Sequence, residues 1–182
     1  WPLTRELLLL LAPKLEQAGL RDEWMPYLQR GITCCHVTTE VAYQGWFHFH
    51  LAVLYEFRAR YAQAEEQFAA SADCFARSGD LRQQAIALSR LGFIIALQNR
   101  YQAAVQLAEN ALLQLPEKDP ARAYAYSTLG VATYAKAEWT IALEHLQNAL
   151  MHWQAEKNQR QIARALRNLG PPLRQLKRFT EA

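Results

Sequence analysis

Cysteine is scarce in this chain, and the three that occur exclude the chemistries cysteine most often signals. Cys34, Cys35 and Cys74 form no C-x-x-C pair, and adjacent Cys34 and Cys35 make a poor disulfide pair. They read as free, buried thiols in a reducing compartment, so the expected location is cytoplasmic. Glycine and proline are few, seven of each, and no run of alternating β-branched residues occurs, so nothing asks for a sheet. Long apolar runs are missing. Leu7 to Leu11 falls far short of the ~20 residues that span a bilayer. It follows charged Arg5 and Glu6 and lacks the layout of a signal peptide, so it reads as a core helix, and no membrane partner is expected. One-sided charge is missing too: a net +3 is too mild to imply a polyanion partner by itself.

The signatures of catalysis are equally absent. There is no Gly-rich phosphate loop, no H-E-x-x-H and no nucleophile elbow. His48 and His50 are two apart on an expected helix, so they point about 200° apart and cannot share a metal. Cys34, Cys35 and His36 are consecutive and splay in the same way, and Glu65-Glu66 reads as a solvated face. The chain is therefore expected to be no enzyme, with no metal and no cofactor.

What is present is helix-forming sequence with a long period. The composition, 51% hydrophobic and 20% charged, is that of a folded soluble protein, and Ala, Leu, Gln, Glu and Arg dominate, so the fold class is all-α. From Ala85 to Pro116 the chain reads AIALSRLGFIIALQNRYQAAVQLAENALLQLP. Leu91-Gly92 is followed by Ala104, Ala108, Ala111 and Pro116, small residues that let two antiparallel helices approach closely. The pattern recurs as Leu129-Gly130 with Ala142, Leu146 and Ala149, as Leu51-Ala52 with Ala64, Phe68 and Ser71, and as Leu169-Gly170 with Ala182. A weaker copy has Leu11-Ala12 with Trp24, Leu28 and Gly31. The anchoring leucines are spaced 40, 40, 38 and 40 residues apart. A period in this range marks a helical repeat array, in which each unit buries its core against its neighbours.

This Leu-Gly, Ala and Pro signature resembles the tetratricopeptide repeat (TPR), in a variant longer than the usual ~34 residues. The resemblance covers essentially the whole chain. It implies a right-handed α-solenoid of antiparallel helix pairs, one TPR-like repeat domain over residues 1–182. Its units fall at about 1–40, 41–80, 81–118, 119–158 and an incomplete 159–182. Both ends look cut, since the chain opens at Trp1 without Met and closes at Ala182 where a second helix should start. It reads as a fragment of a larger protein.

Local signals place the helices. The first should end at Gly19 and bend at Pro13; the second should be capped by Asp22. Ser78-Gly79-Asp80 reads as a stop and restart, and Asp119-Pro120 as a cap followed by a first-turn proline. Pro171-Pro172 falls inside the expected ninth helix, which predicts a kink or an early end near Gly170.

The first helix of each pair is apolar on two faces. Opposite the stripe that meets its partner lie Trp46, Phe49, His50, Val53 and Phe57 in one pair, and Ile86, Ser89, Arg90, Phe93 and Leu97 in the next. Tyr124, Ser127, Thr128, Val131 and Ala135 follow, then Arg164, Arg167, Asn168, Pro171 and Gln175. In proteins of the resembled family these first helices line the concave face. The resemblance therefore implies a partner-binding groove of Trp46, Phe49, His50, Val53, Phe57, Ile86, Arg90, Phe93, Tyr124 and Val131, turning basic at its C-terminal end. One subclass of that family grips a C-terminal carboxylate with Lys, Asn and Arg from successive first helices; the corresponding positions here are largely apolar, so that mode is rejected. A basic stripe of Arg160, Arg164, Arg167 and Arg174 lies in a segment, 157–178, without acidic residues.

The function expected from these features is a noncatalytic scaffold for protein–protein interaction. Its partner would be a protein or peptide, an amphipathic helix or hydrophobic segment; a homo-oligomer through the apolar face is a further option. The long period and the phrase SGDLRQQAIALSRLG resemble the repeat arrays of large bacterial signalling proteins, which implies a sensor or partner-binding arm. The alternatives are a small-molecule effector sensor and, behind it, a nucleic-acid contact through the basic stripe.

Overall fold

The structure, a computed structural model, describes residues 1–18 and 21–178. It contains nine helices and no strand among the described residues. They are α1 (Pro2–Ala18), α2 (Arg21–Val37), α3 (Val41–Phe57), α4 (Tyr61–Ser78), α5 (Leu81–Leu97), α6 (Tyr101–Gln114), α7 (Arg122–Ala135), α8 (Trp139–Ala155) and α9 (Gln159–Gln175). The stop expected at Gly19 and the small residue Ala182 lie outside the described residues. α2 is already helical at Arg21, one residue before the expected cap at Asp22.

The repeat is written into the backbone at the joints between helices. Ala59, Asn99, Ala137 and Lys177, which follow α3, α5, α7 and α9, all have φ between 53° and 64°. Their spacings are 40, 38 and 40, the same as those of the leucine anchors. Thr39, Gly79 and Lys157 hold the same left-handed conformation after α2, α4 and α8. Each joint closes with paired backbone hydrogen bonds. After α3, the Arg60 N–H donates to the Tyr55 carbonyl at 2.9 Å and the Ala59 N–H to that of Glu56 at 2.9 Å. Arg100 with Ile95, Glu138 with Thr133 and Arg178 with Leu173 repeat the longer bond at 2.9–3.1 Å. This is the Schellman closure, which satisfies carbonyls that a helix end leaves without partners.

Side chains cap several of the restarts. The Gln83 N–H donates to Asp80 Oδ1 at 3.0 Å, the Ala121 N–H to Asp119 Oδ1 at 2.8 Å, and the Gln161 N–H to Asn158 Oδ1 at 3.2 Å. The first matches the stop-and-restart signal at Gly79-Asp80. Asp119, expected to cap α7 with Pro120 in the first turn, lies before the helix, whose first residue is Arg122 and whose N-cap is Ala121.

The chain divides into two compact units, Trp1–Ala87 and Leu88–Ala182. In the first, α1, α2 and α3 enclose Ala12, Trp24, Leu28, Cys35, Phe47, Leu51 and Leu54. Phe47 fits because Gly31 faces it: a Cβ there would lie 2.7 Å from the ring. Glu40 ties the start of the chain to the α2–α3 joint, pairing with Arg5 and accepting from Trp1 Nε1 at 2.8 Å. α4 packs on α3 through Ala64, Phe68 and Ser71, whose hydroxyl donates to the Gly45 carbonyl at 2.9 Å.

In the second unit, Ala104, Ala108 and Ala111 on α6 and Ala142, Leu146 and Ala149 on α8 are buried. A Cβ on Gly92 would lie 3.1 Å from the Ala104 carbonyl, and one on Gly130 only 2.5 Å from Leu146 Cγ. These are the close helix approaches the small-residue pattern calls for. Ala123, Trp153 and Ala165 form one cluster, and Leu143, Leu146, Leu169 and Leu173 another that docks α9.

The prolines of α9 correct one expectation. The helix does not end near Gly170 but runs to Gln175 through Pro171 and Pro172. Pro172 stands in the register of Leu54 and Ile94 and is as fully buried as they are. Its ring fills apolar core space that the missing amide donor does not forfeit. α1 likewise continues past Pro13.

Two outcomes follow for stability. Nothing lies within 4 Å of a Cβ built on Gly79. Gly79→Ala therefore costs only the left-handed backbone penalty, about 1–2 kcal/mol in denaturant unfolding. Ala104→Leu overpacks the α5–α6 contact and costs about 1–3 kcal/mol; a loss within ~0.3 kcal/mol would contradict the close approach at Gly92.

Candidate functional site

In the first unit, the aromatic residues on the outer side of α3 reach back onto α4. Trp46 meets Phe75 edge-on at 5.4 Å, and Phe49 meets Phe68 at 5.4 Å. Trp46 and Phe49 also touch each other, and His50 lies against both. Register places these positions opposite the intrapair stripe; Trp46 and Phe49 are half-buried, with their rings leaning onto the buried Phe75 and Phe68. Val53 and Ile86 are buried, and Phe57 is exposed. Both buried thiols resist ionisation: burial pushes Cys35 up to about 11 and raises Cys74 as well. Neither is a nucleophile at neutral pH.

In the second unit the first helices build a recess. Arg90 and Phe93 come from α5, Tyr124, Ser127 and Thr128 from α7, Trp153 from α8, and Gln161 and Arg164 from α9. Its volume is about 10 Å³, room for one water-sized group. The Thr128 hydroxyl donates to the Ser89 carbonyl at 2.8 Å, which ties α7 to α5 beneath it. Tyr124 and Trp153 meet at right angles, 4.7 Å between centroids.

Phe93 is the hub of the charged side. The Arg164 guanidinium lies 4.6 Å and that of Arg90 6.0 Å from the centre of its ring. A ring face takes up part of a cation's field, worth roughly 0.5–2 kcal/mol depending on desolvation. Arg90 is only 7% exposed, so its charge is held in place. The lining carries two guanidiniums and no carboxylate; its Ser127 and Thr128 hydroxyls are spent on the carbonyls of Ala123 and Ser89. Such a set receives a hydrogen-bond acceptor, best a negative one.

The recess gathers six residues singled out in the sequence: Arg90, Phe93, Tyr124, Ser127, Thr128 and Arg164. Val131 is half-buried but does not line it. Arg160, Arg167 and Arg174 are exposed, so the turn of Arg164 onto Phe93 takes it out of the solvent-facing row. Sequence reasoning missed Gln161 and Trp153. Gln161 stood one turn before Arg164, on the same face, and was within reach of that pattern. Trp153 belongs to a second helix, and no first-helix register could have placed it. Among the described residues no group of three His, Cys, Asp or Glu could hold a metal ion, and no helix is long and apolar enough to cross a membrane.

No family model and no curated protein matches this sequence. Solved structures do match its fold. BtubC (BKLC) from P. vanneervenii aligns with a TM-score of 0.72 at 19% identity, covering 97% of this chain and 74% of that one. The nearly identical TPR-like repeats assigned to a kinesin light chain of Podosopora anserina align at 0.68, with 17% identity and coverage of 97% and 88%; their Q17M form aligns at 0.69. The chain thus has the all-α fold of TPR-like repeat solenoids.

Walls and floor of the recess should separate in a stability measurement. Trp153→Ala removes a ring that is 2% exposed and should cost about 3–5 kcal/mol in denaturant unfolding. Arg164→Gln, at a half-buried rim, should cost under about 1 kcal/mol. Equal losses in the two variants would contradict this division.

Proposed function

We propose that this chain is a noncatalytic protein-interaction scaffold that binds a partner segment on the first-helix surface of its helix pairs. The observation that carries the reading is the recess of Arg90, Phe93, Tyr124 and Arg164, where side chains from α5, α7 and α9 converge. Folds of this class commonly serve as interaction scaffolds, and among the described residues no group of three His, Cys, Asp or Glu that could hold a metal ion competes with the recess for a role. The partner is a protein or peptide that lays an apolar stretch on the surface and points an acidic or carbonyl group at the two guanidiniums. The wider setting supported by the long-repeat resemblance is the sensor or partner-binding arm of a larger bacterial signalling protein acting in the cytoplasm.

Size argues against the effector-sensor alternative. Small-molecule sites are typically ~300–1,000 Å³, and the recess offers about 10 Å³. The nucleic-acid alternative loses support because Arg164 lies over Phe93 rather than in line with Arg160 and Arg167.

The test uses peptides selected from a random display library on the intact chain. Phe93→Ala and Arg164→Gln should each weaken binding of a selected peptide by about 1–3 kcal/mol. Phe93→Ala should cost the fold less than the ~3–5 kcal/mol of an ordinary core truncation. Failure to select any peptide, or a large fall in melting temperature with affinity unchanged, would sink the reading.

A further inference from the structure

α6 ends differently from every other helix whose end is described. Its last residue is followed by Leu115 in extended conformation, and the sole backbone closure there is a 3.4 Å bond from the Leu115 N–H to the Leu112 carbonyl. Arg122, at the start of α7, takes over the capping. Its Nη1 donates to the carbonyls of Leu112 at 3.0 Å and Leu115 at 2.9 Å, while Nη2 donates to the Tyr126 hydroxyl at 3.3 Å. The guanidinium also lies 5.6 Å from the centre of the Tyr126 ring.

Tyr126 is in turn stacked with two histidines of α8. His152 lies at 5.7 Å and 15°, His145 at 6.2 Å and 26°. They are two helical turns apart, about 10.5 Å along the axis, a spacing that admits one ring between them. We infer that this Arg122–Tyr126–His145–His152 stack is an acid-sensitive latch that fastens the C-terminal end of α6 to the α7–α8 pair.

Protonation adds two cations beside a third that is already there. Burial lowers the pKa of both histidines, and Arg122 lowers that of His152 further. The acidic groups facing them are Glu144 on α8 and Glu109 on α6 for His145, and Asp119 in the α6–α7 loop for His152; all act in the opposite sense, more weakly than burial. α9 meets α8 through Leu169, Leu173, Ile162 and Ala165, which add no charge. A lowered folded-state pKa means the fold favours neutral imidazole. Its stabilisation is complete above the unfolded value of ~6.5 and is lost as pH falls below it. Charged His152 then repels Arg122, the Leu115 carbonyl loses the guanidinium donor, and the Leu112 carbonyl keeps only the 3.4 Å bond from the Leu115 N–H.

Hydrogen exchange on the intact chain at pH 7.5 and pH 5.0, corrected for intrinsic rates, tests this. Protection in the last turn of α6 should fall about tenfold at the lower pH, the scale of one charge-assisted hydrogen bond, while the middle of α8 stays unchanged. The H145Q/H152Q variant should show no such fall, and R122M should be poorly protected at both values. Should the double variant not fold, H152Q alone is expected to lose most of the effect, and proton NMR of the wild-type imidazoles should show both titrating below the usual histidine range. An α6 end equally protected at both pH values, an undiminished fall in the histidine variants, or imidazoles titrating at or above ~6.5 would overturn the latch.

Discussion

The tight reversal at each helix end is the constraint on which the rest depends. A helix must stop within one residue and return antiparallel, and this chain does so by placing one residue in the left-handed region and donating two amides backwards. Six of the seven described positions carry a side chain there, each at a cost of roughly 1–2 kcal/mol relative to ordinary backbone. Such strain persists only where surrounding packing over-determines it. The packing is present: Gly92 against Ala104 in one pair, Gly130 against Leu146 in the next, and Ser71 bonded to Gly45 in a third. The joints set where the small residues meet, and the small contacts hold the joints in their strained form.

The exception at α6 shows the same constraint from the other side. The 38-residue step is the one place where the second helix is short, 14 residues, and where Pro116 follows in place of a left-handed joint. Without the Schellman closure, the terminal carbonyls need another donor, and a side chain from the following helix supplies it. A backbone closure is indifferent to pH; a guanidinium packed beside two imidazoles is not. One irregular step thus turns a structural joint into an electrostatic one.

Much of the fold was legible in the sequence because its determinants are local and periodic. The Leu-Gly anchors, the alanines twelve residues later and Gly79 with Asp80 each mark a backbone event within a few residues. Pro171-Pro172 was misleading as a helix stop because the rule for proline in a helix counts the lost donor and the clash but not the apolar surface that a buried proline can fill. The outer face of α3 was legible as a register but not in how far its rings lean. Trp46 and Phe49 are long enough to lean onto Phe75 and Phe68, and a helical wheel fixes the direction of a Cβ, not the end of a ring.

The recess was half legible for the same reason. Arg90, Phe93, Tyr124 and Arg164 occupy equivalent faces of successive first helices, so periodicity could collect them into a set. Periodicity could not say that Arg164 leaves the row of Arg160 and Arg167 to lie over Phe93, because that choice belongs to the side chain. The ring offers a guanidinium a face that water does not, and a neighbour at 7% exposure already occupies the deeper position. Two guanidiniums then share one aromatic ring beside a space no larger than one oxygen-bearing group. Specificity at such a site comes from the single group that enters it; the surrounding apolar surface supplies area but little discrimination.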